Sequence, residues 1–177
     1  MTTVRGFLDK LRAAGSFGRS IAHREDIPAR PPRWGAFPEE LGSELTRGLG
    51  SFGIRRLYAH QSEAVARILA GEDVVVVTPT ASGKTLCYNI PVLDRAARRA
   101  DSRSLYLFPM KALEQDQLGA FRDLSAACGL ESRVRAEIYD GDTSAYRRAK
   151  IRRSPPQVVV TNPDMLHAGI LAYHEKW

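Results

Sequence analysis

The sequence predicts an α/β fold in which helices flank a parallel sheet, preceded by a short helical extension. Three observations lead there. From Ala59 onward, short apolar runs alternate with helical patterns, the signature of parallel βαβ units. The run Val74 to Val77 is uninterrupted by polar residues, as a strand buried on both faces requires. A glycine-bearing turn and a helix start follow that run directly, which is where a phosphate-binding loop belongs. A length of 177 residues suits one domain with a proper core.

The elements follow in order. Val4, Phe7, Leu8 and Leu11 fall at i, i+3, i+4 and i+7 and predict a short amphipathic helix whose apolar face docks on another surface. Pro28, Pro31, Pro32 and Pro38, with Trp34 among them, read as a semi-extended linker. Residues 1–37 are therefore expected to form a helix and linker, and residues 38–177 the main domain. Pro38 suits the first position of a helix, with Glu39 and Glu40 in the favoured first turn. Leu41, Leu45 and Leu49 would line that helix, and Gly48, Gly50 and Gly53 would end it. The next helix runs from Ala59 to about Leu69, turns Ala64, Val65, Ile68 and Leu69 inward, and is capped by Gly71. After the valine run come a helix over about 84–99, a strand from Ser104 to Phe108 and a helix from Met110 to Ala127. A strand ending near Tyr139, a basic helix over about 143–153 and a strand from Val158 to Thr161 complete the pattern.

Composition narrows the partner. Hydrophobic residues make up 44% and charged residues 26%, ordinary for a soluble globular protein. The net charge of +6 favours an anionic partner, nucleic acid or membrane surface. Arginine carries most of it, and the guanidinium fork pairs with phosphate in a bidentate way. A GC-rich coding bias would also enrich arginine, so both origins stay open. Cys87 and Cys128 stand far apart with no zinc spacing, and are expected to be reduced, buried and inert in a cytoplasmic protein. The valine run is far too short to span a membrane, and the N-terminus lacks the apolar stretch of a secretory signal.

Thr78 to Thr85 reads TPTASGKT. Backbone N–H groups of Thr80, Ala81, Ser82 and Gly83 can converge on phosphate there, and the helix N-terminus adds favourable partial charge. Gly83 lets the backbone approach closely, Lys84 is the cation for the β and γ phosphates, and Thr85 offers its hydroxyl to Mg2+. Thr78 stands where the strict pattern has glycine, which argues against a generic kinase. Gln61 lies 23 residues before Lys84 and opens the preceding helix in the run Tyr58-Ala59-His60-Gln61. A glutamine amide presents the donor and acceptor that adenine N6 and N7 require, and Tyr58 could stack on the ring. His60 reads as a packing residue.

Two further strand-end turns lead into helices: Pro109 to Gln117, reading PMKALEQDQ, and Thr161 to Leu166, reading TNPDML. Ligands bind at this carboxyl edge in open α/β sheets. With YAHQ and TPTASGKT, these blocks resemble superfamily-two DEAD/DEAH-box helicases. LYAHQ, TPTASGKTLCYNIPVL, LYLFPMKALEQDQ, YDGDT and TNPDMLHAGIL are similar to the RecQ-like DNA helicases that carry a C-terminal cysteine-rich metal-binding domain, the mitomycin-repair type included. The resemblance covers Pro38 to Trp177 and implies the first RecA-like, P-loop domain of such an enzyme. It implies that Gln61 reads adenine and that Lys84 and Thr85 serve ATP and Mg2+. It also implies that Pro109, Met110, Lys111 and Gln115, with Thr161, Asn162, Pro163 and Asp164, grip single-stranded nucleic acid, DNA in this group, by its phosphates. Met110 stands where threonine is common, which removes one hydroxyl contact. The run Thr161 to Asp164 also reads as a helix cap.

Helicases of this kind hydrolyse ATP with an Asp-Glu motif after a later strand, and no apolar run followed by Asp-Glu occurs in the sequence. The resemblance therefore implies a truncated domain with no catalytic residue of its own, lacking its C-terminal half and inactive alone. Without later strands beside it, the valine run would also lose its lateral partners. Arg147, Arg148, Lys150, Arg152 and Arg153 form a basic cluster that reads as a solvated helix face or as a phosphate-contacting flank. Two rival readings are a small P-loop kinase, which has no use for PMKALEQDQ, and a non-catalytic nucleotide or nucleic-acid binding module.

Overall fold

The computed structural model describes residues 3–15, 17–29 and 31–177. Residues 1, 2, 16 and 30 of the expected N-terminal region lie outside them. The chain divides into two compact units, residues 1–32 and 33–177. In the first, helix α1 (Val4–Ala13) begins at Thr3, whose side-chain oxygen accepts the Gly6 N–H at 3.2 Å. The helix forms where the apolar spacing predicts it, but none of its residues is buried, and Val4 is 77% exposed.

The second unit contains β1 (Trp34–Gly35), α2 (Ser43–Ser51), β2 (Leu57–Tyr58), α3 (Ala59–Leu69) and α4 (Lys84–Arg98). These are followed by β3 (Ser104–Leu107), α5 (Lys111–Ala127), β4 (Ala136–Ile138), α6 (Ala145–Arg153), β5 (Val158–Thr161) and α7 (Pro163–Met165). Irregular helical turns continue to Lys176. The sheet is parallel, in the order β3-β5-β4, with Leu105 opposite Val159 and Ile138 opposite Val160. Strand β5 lies in the middle and all four of its residues are buried, as a central parallel strand demands. One face sends Tyr106, Val158, Val160 and Ala136 into the main core, where Ile90 and Leu93 of α4 and Leu118, Phe121 and Leu124 of α5 meet them. The other face sets Val159 against Ile151 of α6 and Tyr139.

Four local expectations are corrected. Val74 to Val77 forms no strand and pairs with none among the described residues, and Val75 and Val77 are each 88% exposed. An apolar run becomes a buried strand only where neighbouring strands take its backbone groups, and local sequence cannot supply those. The second helix starts at Ser43, not at Pro38: Gly42 is its N-cap and residues 39 and 40 form a turn. The cause is distant, because Asp94 Oδ1 accepts the Gly42 N–H at 2.9 Å and fixes the chain there. The same helix runs through Gly48 and Gly50, and only Gly53, at φ +91°, turns the chain away. Trp34, assigned to the linker by its proline neighbours, instead forms a two-residue antiparallel pairing with Tyr58.

Cys87 and Cys128 are free and buried, and burial raises both thiols above the ordinary range, Cys128 to about 11. No helix among the described residues is long and apolar enough to cross a membrane.

Candidate nucleotide and nucleic-acid site

The loop between residue 77 and α4 wraps around its own lysine. Lys84 Nζ donates to the carbonyls of Thr78 and Pro79, each at 2.7 Å, and to Thr78 Oγ1 at 3.1 Å and Ser82 Oγ at 3.3 Å. Thr78 and Ser82 hydroxyls lie 2.6 Å apart, closing the ring of oxygens. Two left-handed residues, Ala81 at φ +59° and Gly83 at φ +75°, bend the backbone so that the loop covers the first turn of α4. An ammonium, the Thr85 hydroxyl and a helix N-terminus thus share one place, which is the donor set a polyphosphate and its cation need.

Gln61 is buried, and each end of its amide makes one hydrogen bond. Its Oε1 accepts the Tyr58 N–H at 2.8 Å, and its Nε2 donates to the Gly83 carbonyl at 2.9 Å. His60 Nε2 lies 3.1 Å from the Ser82 carbonyl. Helix α3 therefore holds the phosphate loop by two consecutive side chains, which gives His60 the structural part expected of it. Tyr58 stacks on Trp34, with centroids 4.8 Å apart and planes within 6°, and lies near-parallel to His60. Sequence reasoning missed Trp34. Its signal was an aromatic among prolines, and the pairing that brings it to Tyr58 is not local.

The two strand-end turns lie side by side. Leu107 is in register with Thr161, so both turns leave adjacent parallel strands, about 4.8 Å apart, at the same level. Pro109 and Met110 are exposed, and Met110 is the N-cap of α5. Lys111 pairs with Asp142 at 2.6 Å, and that carboxylate holds its ammonium protonated beyond the usual lysine range. Lys111 and Gln115 line a cavity of about 500 Å3 with Arg122, Asp140, Asp142 and Arg147. Thr161 is buried and its hydroxyl donates to the Tyr139 carbonyl, so that side chain stays with the sheet. Asn162 Oδ1 accepts the Met165 N–H at 2.8 Å, the helix cap expected there, while Pro163 and Asp164 are exposed.

A side chain that sequence reasoning passed over joins these turns. Glu114 is completely buried, and its Oε1 accepts from Asn162 Nδ2 at 2.9 Å. The signal was present: Glu114 heads the stripe Leu118, Phe121 and Ser125 that α5 turns inward. The YDGDT run forms a tight turn in which Asp140 Oδ1 accepts the N–H groups of Asp142 and Thr143. The basic cluster divides. Arg148 donates to the carbonyls of Asp140 and Gly141, Arg152 to the Tyr139 hydroxyl, and Arg147 lies 3.6 Å from Glu137. Lys150 and Arg153 have no such partner among the described residues.

The model of the DEAD/DEAH box helicase family matches residues 58–177, the segment that contains the loop, both turns and the whole three-stranded sheet. The chain belongs to the DEAD/DEAH box helicase family. Among relatives of that family, the uncharacterized ATP-dependent helicase YprA of Bacillus subtilis is 42% identical over 158 residues, covering 89% of this chain and 21% of its own length. The ATP-dependent helicase Hrq1 of Saccharomyces cerevisiae is 34% identical over 100% of this chain and 16% of its own length. A crystal structure of the DUF1998 helicase MrfA bound to DNA and AMPPNP superposes with a TM-score of 0.79 at 44% identity, covering 85% of this chain and 21% of that one. The chain spans about a fifth of the length of the helicases it matches. The RecA-like parallel architecture expected from the motifs is the one these helicases share.

Proposed function

We propose that residues 33–177 form the ATP-binding and strand-gripping part of an ATP-dependent DNA helicase that acts in DNA repair. The observation that carries this reading is the phosphate loop, with Lys84 Nζ set among four loop oxygens at the start of α4. On this reading the ammonium would exchange those oxygens for the β and γ phosphates of ATP, the loop N–H groups from Thr80 to Gly83 would cradle them, and the Thr85 hydroxyl would hold Mg2+. When bound, Mg2+ supplies charge neutralisation of the phosphates. Gln61, which keeps one unused N–H and one unused lone pair, and Tyr58, backed by Trp34, border the adenine.

The strand lies over the turns at Pro109–Lys111 and Asn162–Asp164, with Gln115 beside them, held by phosphate without reading sequence. Lys111 reaches phosphate by giving up Asp142. Further sequence of the kind those longer relatives contain would supply the hydrolytic carboxylates and a second RecA-like domain. In the full-length protein, Lys84→Ala should abolish ATP turnover while the circular dichroism spectrum stays unchanged. Undiminished turnover in that variant would overturn the assignment.

A further inference from the structure

We propose that Tyr88 and Gln117 are positioning residues that couple the phosphate loop to the strand-gripping turns through α5. Tyr88 lies one turn beyond Thr85 on the same face of α4. Its hydroxyl donates to Gln117 Oε1 at 2.8 Å, from α4 to α5. The ring is held edge-on against Tyr106, with centroids 5.2 Å apart and planes at 84°. Tyr106 in turn donates to the buried Asn89 at 2.9 Å, so a second bond fixes α4 against β3. Burial raises the Tyr88 phenol above its ordinary value, which keeps it a neutral donor. On α5, Gln117 follows Glu114 by three residues, and Glu114 grips Asn162 of the second turn.

Helix α4, whose first turn carries Thr85, is therefore bonded to α5 through Tyr88 and Gln117, and α5 is bonded to the second turn through Glu114 and Asn162. A rigid helix carries a displacement at its first turn to the side chains one turn further on. A nucleotide that repositions the start of α4 thus acts through the Tyr88–Gln117 bond on α5, which carries Lys111 and Gln115. The inference rests on the nucleotide and strand assignments above.

The test is a linkage measurement on the full-length protein. The dissociation constant for a fluorescent oligo-dT strand is determined with and without Mg2+–AMPPNP, for wild type, Tyr88→Phe, Gln117→Leu and the double variant. In wild type the two constants differ. Each single variant should move their ratio roughly two- to tenfold towards one, and the double variant no further, as expected when one hydrogen bond carries the coupling. The constant without nucleotide should stay within about twofold of wild type, since neither side chain touches the strand. A wild-type ratio of one, a ratio unchanged in Tyr88→Phe, or a uniform loss of both affinities with a lowered Tm would overturn the proposal, the last by showing a merely structural contact. AMPPNP binding that survives Lys84→Ala would instead overturn the site assignment beneath it.

Discussion

Replacing Gly83 by alanine tests whether the loop conformation itself makes the nucleotide site. Gly83 sits at φ +75°, and a side chain in that region costs about 1–2 kcal/mol. The added Cβ would also lie 2.5 Å from Gln61 Nε2. That amide is the end of a long side chain and can move, but Gln61 is buried, and moving it breaks the bonds to Tyr58 N and the Gly83 carbonyl. Stranding a buried amide costs about 1–3 kcal/mol. Together these disfavour the loop by roughly 2–5 kcal/mol, which weakens nucleotide binding by roughly 30- to 4000-fold. The penalty is local, so α4 and the sheet should remain folded. Titration of a fluorescent ATP analogue, with circular dichroism as the fold control, reads this directly. Combining Gln61→Ala with Gly83→Ala removes the clash and leaves only the backbone cost, so the two losses should be less than additive. Affinity within threefold of wild type for Gly83→Ala would refute the reasoning, as would strict additivity.

Three more outcomes follow from the packing and the titrating groups. Gly48→Ala would place a Cβ 2.5 Å from Cys128 Cα and 2.6 Å from its Sγ, where α2 meets the end of α5; denaturant unfolding should show a loss of about 1–3 kcal/mol. Asp94→Ala strands the Gly42 N–H and frees Arg98, which also donates to the Glu40 carbonyl; unfolding should show a loss of about 1.5–3 kcal/mol, with the start of α2 exchanging amide protons faster. Burial raises Cys128 from 9.0 to about 11, so above pH 9 the unfolded chain releases the thiol proton first and stability falls as pH rises towards 11. Denaturation midpoints from pH 8 to 11 should decline, and less steeply in Cys128→Ala.

Elements governed by local periodicity were legible in the sequence. Helix α3 ends where the inward set Ala64 and Val65 and the αL residue Gly71 place it, and β5 coincides with Val158–Thr161. What escaped depends on partners far along the chain. The start of α2 is set by Asp94, 52 residues away from Gly42, against the local preference of Pro38 for a first helical position. Trp34 meets Tyr58 through a pairing that no periodicity announces. At the site, the phosphate loop was legible because its motif is contiguous, and Lys84 and Thr85 do open α4 as that motif requires. The bonds of Gln61 to Gly83, Glu114 to Asn162 and Tyr88 to Gln117 join separate motifs, so only the folded chain places them together.

The sheet and its surroundings also govern how the chain behaves in crowded solution. On the β4 side, Arg122 donates to the Ala136 carbonyl at 2.8 Å and the Thr143 hydroxyl to the Ile138 carbonyl at 3.3 Å, so side chains blunt that margin against pairing with another molecule. The valines at 74–77 have no such guard, and Leu105 and Leu107 of β3 are nearly half exposed. Four β-branched residues in a row, uncharged and free of proline, are a template for intermolecular strand addition. The colloidal weakness of residues 1–177 handled alone is therefore one-sided. A lysine at position 75 or 77 should raise the concentration at which the chain stays monodisperse, and one at position 137 should change it little.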